Sequence, residues 1–216
     1  MEDILAGNAL YRPGPMDFIP QYIEGKNNRD SIVYDCPQLE PILAPTYGCI
    51  VYQEQVMQIV RSLAGYSFGR SDLVRRAMAK KKEKVMEAER QNFVYGNKAE
   101  GVKGCIANGI SEEVANKIYN EMIDFAKYAF NKSHAAAYAV VSYQTAYLKC
   151  HYPIEFMAAL MTSVRDNTSK VIHYTMNCKE LGIPMLSPDI NEGYSDFSVA
   201  DGGIRFGMSA IKGIGV

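Results

Sequence analysis

A cluster of cations is the feature of this sequence whose residue types point most directly to chemistry. Its members are Arg75, Arg76, Lys80, Lys81 and Lys82. A helix capped by Ser71 or Asp72 would place both arginines in its first turn, where the helix dipole is positive and cations are unfavourable. Such a departure from a local rule often marks a functional site. Guanidinium groups beside a helix N-terminus would suit a phosphate chain, although a solvated basic face has the same pattern.

The apolar residues of the same segment predict the helix that must position these cations. Four of them share one face at helical spacing: Leu73, Val74, Ala77 and Met78. We expect this helix to extend to about Phe93, with both arginines on its polar face. Residues 70–84 hold seven Lys and Arg against two acids, in a chain of net charge −1. This local excess fits a groove for a polyanion better than a general affinity for nucleic acid.

A second cluster with possible chemistry is the run Asn131, Lys132, Ser133 and His134. Ser133 is expected to cap an alanine-rich helix that continues to about His151. Lys132, His134 and the N–H groups of that helix would converge on a phosphate or a nucleotide. The alternative is ordinary capping and packing, because a histidine at the start of a helix is unremarkable.

The sequence lacks the patterns of a catalytic metal centre. It contains no Asp-x-Asp, no pair of acids at metal-ligand spacing and no Gly-x-x-x-x-Gly-Lys-Ser/Thr loop. Two-metal phosphoryl transfer needs clustered carboxylates. The five cysteines and three histidines are scattered without CxxC spacing, which favours neither a zinc site nor a disulfide framework. We therefore expect no catalytic residue, metal ligand or bound cofactor in this chain.

Composition and periodicity predict a mainly α-helical fold. Hydrophobic residues make up 48% of the 216 residues, which is enough for a core. Helical spacing predicts further helices over residues 53–63, 112–125, 133–151, 154–164 and 170–181. The tyrosines of these helices, Tyr143 and Tyr147 among them, are expected to be half-buried. Residues 96–109 are expected to be a linker.

The sequence predicts two domains of unequal size. Residues 1–182 are expected to form a helical domain, and residues 183–216 a connector of α+β character with a hairpin about residues 201–203. Neither a signal peptide nor an apolar run long enough to cross a bilayer is present in the sequence. We expect a cytoplasmic location and no membrane partner.

Several stretches together resemble the fingers region of family C DNA polymerases. They are residues 9–16 (ALYRPGPM), 45–57 (PTYGCIVYQEQVM), 72–82 (DLVRRAMAKKK), 130–148 (FNKSHAAAYAVVSYQTAYL) and 152–161 (YPIEFMAALM). The likeness covers nearly the whole chain in the family's order. Residues 184–215 resemble the entry into the family's helix-hairpin-helix region, where Lys212 and Gly213 would lie at the first hairpin.

The resemblance implies a role in template-directed DNA synthesis by a bacterial replicative polymerase. Arg75 and Arg76 would face the triphosphate of the incoming dNTP, and residues 131–134 would border the same pocket. The template-primer would be contacted by the basic and hairpin residues Lys80, Lys81, Lys82, Arg12, Lys212 and Gly213. Mg²⁺ and the catalytic aspartates would belong to the palm, outside this chain, so this chain alone would be inactive. Its other partners would be the palm, the thumb and replisome subunits.

Two other interpretations stay open at this point. In the first, the same basic face grips only the DNA backbone, as in a non-catalytic helical nucleic-acid-binding scaffold. In the second, the chain is a structural helical module whose cations are merely solvated. Nucleotide binding separates the polymerase from the scaffold, and stabilisation by anions separates both from the structural module.

Overall fold

The structure is a computed structural model that describes residues 1–80, 82–126 and 128–214. It is mainly helical with a small sheet near the C-terminal end, as the sequence predicts. The helices are α1 (Glu2–Leu10), α2 (Ile19–Asn27), α3 (Glu40–Leu43), α4 (Gln53–Ala64), α5 (Phe68–Ala79), α6 (Glu83–Tyr95), α7 (Glu112–Ala126), α8 (Lys132–His151), α9 (Pro153–Ser163) and α10 (Thr168–Glu180). The strands are β1 (Met185–Leu186), β2 (Ser198–Ala200) and β3 (Gly203–Arg205). None of the helices in the described ranges is long and apolar enough to cross a membrane.

The chain divides into two compact units, Met1–Val140 and Val141–Val216. The main core of the first unit lies among α4, α5, α6 and α7, and its fully buried side chains include Ile59, Leu63, Phe93, Ile118 and Met122. Burying a side chain of this size contributes about 1.5–3 kcal/mol. Helix α4 ends at Ala64, and the C-cap residue Gly65 has a φ of +72°, a left-handed conformation that suits glycine. The division at residue 140 falls within α8, and the domain boundary expected after residue 182 stays a prediction.

A second core in the first unit brings α1 against the start of α8. It contains Leu5, Ala6, Leu10, Ala135 and Ala139, all less than 9% exposed. Small alanines at helical spacing let α8 approach its neighbours closely. This packing fixes the N-terminal end of α8 within the first unit.

The second unit packs α9 and α10 with the sheet. Its buried side chains include Met157, Met161, Cys178 and Ile204. The strand order is β1-β3-β2, with β1 parallel to β3 and β2 antiparallel to β3. The hairpin predicted about residues 201–203 is confirmed.

The long basic helix expected from Ser71 to about Phe93 is wrong, because the structure has two helices there. Helix α5 begins earlier, at Phe68, and its cap is Ser67, whose side-chain oxygen accepts the N–H of Arg70. It ends at Ala79, and α6 begins at Glu83. Lys81 lies outside the described residues.

The division into two helices overturns the expectation that Arg75 and Arg76 lie at the positive end of a helix dipole. Arg75 and Arg76 lie in the C-terminal half of α5, where cations are favourable, rather than in its first turn. Val74, Ala77 and Met78 are buried as expected, but the Leu73 side chain is 64% exposed. The helix dipole is therefore not unfavourable to these arginines. Any evidence for a functional role must come from the residues that surround them.

Three further expectations are corrected. Asn131, rather than Ser133, caps α8, because its Oδ1 accepts the N–H of His134 at 2.8 Å. Residues 96–109 are not a linker, since Val102 and Cys105 are buried in the main core. Tyr143 and Tyr147 are exposed, at 53% and 46%, rather than half-buried in a core.

Candidate functional site

An open cleft of about 630 Å³ lies between α4 and α5 in the first unit. It is lined by Gln53, Glu54, Met57, Gln58, Arg61, Phe68, Gly69, Asp72, Arg75 and Asn131. The first residues of α4 contribute polar side chains, α5 contributes Asp72 and Arg75, and the segment before α8 contributes Asn131. The cleft thus brings together residues from both clusters that the sequence singles out.

Arg75 is held in this cleft by two partners. Its Nε and Nη2 donate to Asp72 Oδ1 at 2.8 and 2.7 Å. Its Nη1 donates to Gln53 Oε1 at 2.9 Å. Side-chain bonds at each nitrogen restrict the rotation of the guanidinium, so Arg75 is placed before any anion arrives.

Arg76 shares the same carboxylate but is much more exposed. Its Nε lies 2.7 Å from Asp72 Oδ2, and its side chain is 62% exposed. Arg76, Lys80 and Lys82 line a second hollow, of about 380 Å³, between α5 and α6. Arg70 in this hollow is paired with Glu89 and Glu100, which leaves Arg76 and the two lysines as its more exposed cations.

Asp72 is therefore a carboxylate shared by two guanidinium groups. The hydrogen bond from Arg75, with the positive charges of Arg75 and Arg76, holds the pKa of Asp72 below its usual range. Asp72 stays ionised at neutral pH and keeps both arginines close together. Asp72 precedes Arg75 and Arg76 by three and four residues, the spacing at which side chains on one helix can pair.

Backbone N–H groups at the N-terminus of α8 already donate hydrogen bonds to side chains of the protein itself. The carboxylate of Glu54 accepts a hydrogen bond from the backbone N–H of Lys132, with distances of 3.1 Å to Oε1 and 3.0 Å to Oε2. Its Oε1 also accepts a hydrogen bond from Asn131 Nδ2 at 3.1 Å. The N–H of His134 donates to Asn131. Sequence reasoning missed Glu54, which lies 78 residues from Lys132, because no local pattern connects them.

Aromatic rings lie close to the side chains of His134 and Lys132. The His134 ring centroid lies 5.2 Å from that of Phe130 and 4.7 Å from that of Tyr138. Lys132 Nζ lies 5.4 Å from the centroid of Tyr52, within cation–π range. Tyr52 is fully buried, and burial raises its pKa to about 12, so its hydroxyl stays neutral. The cluster thus combines side chains from α8 with the start of α4.

Arg12 packs onto the segment that leads into α8. Its guanidinium lies 4.4 Å from the centroid of Phe130, and its Nη2 donates to the carbonyl of Tyr128 at 2.7 Å. Its Nε donates to the carbonyl of Ala9 at 3.0 Å. These contacts hold residues 128–130 against the end of α1, so Arg12 supports the loop before α8.

The remaining predicted residues lie in the second unit. Ile211, Lys212, Gly213 and Ile214 form a turn, closed by a bond of 3.1 Å from the N–H of Ile214 to the carbonyl of Ile211. Gly213 has a φ of +91°, which this turn requires and which other residues rarely adopt. Lys212 is exposed at the turn. Across the described parts of the chain, no group of three or more His, Cys, Asp or Glu could hold a metal ion.

These features define a mainly helical domain with a cleft lined by a pre-positioned guanidinium. Residues 1–101 match the family described as the bacterial DNA polymerase III alpha subunit finger domain. Residues 182–216 match the helix-hairpin-helix motif. The resemblance found in the sequence is confirmed: the chain is similar to a part of the bacterial DNA polymerase III alpha subunit.

Curated relatives are similar along the whole chain. The DNA polymerase III subunit alpha of Thermus aquaticus is 49% identical over 220 residues, which is 100% of this chain and 17% of the relative. The corresponding subunits of Borreliella burgdorferi and Bacillus subtilis are 46% and 45% identical, over 100% of this chain and 18% and 19% of their own lengths. The chain thus spans less than a fifth of the length of these relatives.

Proposed function

We propose that this chain is the fingers portion of a bacterial replicative DNA polymerase, which binds the triphosphate of the incoming dNTP and the template-primer. The observation that carries the proposal is the cleft that Arg75 and Asn131 line together, although they come from distant motifs. Similarity to DNA polymerase III alpha subunits along the whole chain supports the same assignment.

In this proposal, Arg75 and Arg76 orient the triphosphate and compensate the charge that develops on the leaving pyrophosphate. A hydrogen bond to a charged group contributes about 1.5–3 kcal/mol. Lys132 and His134 contribute side-chain contacts from the start of α8. The N–H groups of Lys132 and His134 already donate to Glu54 and Asn131, so these two N–H groups are not the proposed anion ligands.

The template-primer is proposed to meet other cations of the chain. Lys80 and Lys82 line the hollow between α5 and α6 and would contact phosphates there. Lys212 and the backbone around Gly213 would contact phosphates at the hairpin of the helix-hairpin-helix motif. Arg12, predicted as a DNA contact, would act mainly by holding residues 128–130 in place.

The chemistry itself is proposed to take place in the palm. Nucleotidyl transfer uses two divalent ions held by carboxylates, and we assign these ions, as Mg²⁺, to the palm of the complete polymerase. The thumb and the replisome subunits are proposed as further partners, and the cytoplasm as the location. This chain alone is proposed to be inactive.

The experiment that tests the proposal is a dNTP titration of the complete polymerase carrying Arg75→Ala and Arg76→Ala. We expect kcat/KM for the nucleotide to fall by about tenfold to a hundredfold for each arginine, because each loses a charged hydrogen bond. The control is Lys170→Ala, an exposed residue in the first turn of α10 in the second unit. Unchanged kinetics with both arginines removed would refute nucleotide binding and favour the scaffold.

A further inference from the structure

Gln53, the first residue of α4, joins three parts of the first unit. Its side-chain Oε1 accepts from Arg75 Nη1 on α5 at 2.9 Å. Its side-chain Nε2 donates to the carbonyl of Ala129 at 3.0 Å. Its backbone N–H donates to the carbonyl of Phe130 at 2.9 Å. One residue therefore connects the guanidinium in the cleft with the segment that leads into α8.

The two ends of the Gln53 amide have opposite hydrogen-bonding character, and the site uses both. The oxygen can only accept and the nitrogen can only donate, so the amide matches a guanidinium on one side and a carbonyl on the other. Because the nitrogen is bound to Ala129, the oxygen points in one direction. The direction of this oxygen determines where Arg75 Nη1 is held.

Arg76 provides the internal comparison. It has the same neighbour, Asp72, which its Nε contacts at 2.7 Å, but its side chain is 62% exposed. The Arg75 side chain, which Gln53 also holds, is 24% exposed. Restricting a long cationic side chain before binding removes part of the entropy cost of ordering it on the ligand.

We infer that Gln53 is a positioning residue for nucleotide binding, which fixes the Arg75 guanidinium against the segment preceding α8. The next residue, Glu54, holds Asn131 and the N–H of Lys132. The start of α4 therefore sets the position of both predicted nucleotide-binding clusters. This inference rests on the proposed function, in which Arg75 contacts the triphosphate.

A purely structural role for Gln53 would give a different result. The backbone N–H of Gln53 bonds Phe130 whatever side chain is present, so substitutions leave the start of α4 attached. The side chain bonds a carbonyl and Arg75, and replacing it disturbs Arg75 first. A structural role would change thermal stability and every kinetic constant together, whereas a positioning role acts on nucleotide binding through Arg75.

The test is a double-mutant cycle between Gln53 and Arg75 in the complete polymerase. Gln53→Met keeps the volume and loses both side-chain bonds, and Gln53→Ala removes the same amide by truncation. We expect either variant to raise KM for the dNTP about threefold to tenfold, in proportion to one lost hydrogen bond. In the Arg75→Ala background, the same substitutions should change KM less than twofold, because their effect passes through Arg75.

Gln91→Met is the matched control. Gln91 is an exposed glutamine on α6 and is not among the residues that line the cleft, so its replacement should leave KM unchanged. A normal KM in both Gln53 variants, or an effect of equal size with and without Arg75, would overturn the inference. If Arg75→Ala itself left nucleotide use unchanged, the proposed function would fail instead, and the two failures are therefore distinguishable.

Discussion

The cleft between α4 and α5 and the turn at residues 211–214 both present cations proposed to meet phosphates, but they are built differently. In the cleft, Arg75 is held by Gln53, a residue 22 positions away. In the turn, Lys212 is presented by a backbone bond between near neighbours and by the positive φ of Gly213. The first site depends on tertiary packing, and the second depends on local backbone geometry.

This difference predicts different responses to substitution. Side chains that tertiary contacts hold in place are pre-ordered for one ligand geometry, so the cleft should discriminate strongly between replacements of similar size. An exposed lysine on a turn acts as a point charge, so the turn should respond mainly to charge and to salt.

After the two arginines, the next largest effect is expected at His134, whose backbone N–H donates to Asn131 of the cleft. In the complete polymerase, His134→Leu should lower kcat/KM for the dNTP about tenfold, because the side-chain donor to the nucleotide is lost. His134→Gln keeps a donor and should retain most of the activity. Both variants keep the backbone N–H that donates to Asn131, so helix capping is unchanged. Parent-like kinetics for both variants would mean that His134 only packs between Phe130 and Tyr138.

A smaller effect is expected at Lys212. Lys212→Ala should weaken DNA binding by the complete polymerase, and the slope of log K against log salt should decrease by about 1, because one phosphate contact is lost. Lys212→Arg should keep the slope of the parent. If the slope does not change in Lys212→Ala, Lys212 does not contact a DNA phosphate. The turn and the cleft could then no longer be compared as two phosphate-binding sites.

The smallest effect concerns the ionisation of Asp72. Arg75 and Arg76 hold its pKa below the usual range of about 3.9, so its contribution to stability is complete above that value and is lost as the pH falls through the lowered pKa. A carboxyl titration by NMR should give a lowered midpoint for Asp72. Arg75→Ala should raise that midpoint towards the usual value. Equal midpoints in the two proteins would show that Arg75 is not bound to Asp72 in solution.

Some helix boundaries follow from the sequence alone because their signals are local. Helix α4 runs from Gln53 to Ala64 and is followed by the C-cap residue Gly65, close to the expected range 53–63. Ser111 caps α7 through its hydroxyl oxygen, which accepts the N–H of Val114 at 3.3 Å. The hairpin between β2 and β3 turns at Asp201 and Gly202, both with positive φ. Each of these signals lies within a few residues of the structure it determines.

Other features were decided by tertiary structure, against the local pattern. The apolar spacing of residues 73–93 suits one continuous helix, yet α5 ends at Ala79 and α6 begins at Glu83. Val74 and Met78 on α5 and Phe93 and Val94 on α6 are buried in one core. Two shorter helices can each turn their apolar face towards that core, whereas one straight helix would place Val74 and Phe93 about 28 Å apart along its axis.

The same distinction applies to the candidate site. The sequence by itself determined which residue types the site contains, since two adjacent arginines and the Asn-Lys-Ser-His run are visible without a fold. The order of its motifs also gave the resemblance to family C DNA polymerases. Only the tertiary structure decided that Gln53 and Glu54 hold those two clusters, because the partners lie 22 and 78 residues away. Hydrogen bonds between residues so far apart in sequence depend on the packing of α4, α5 and α8, and no local pattern encodes them.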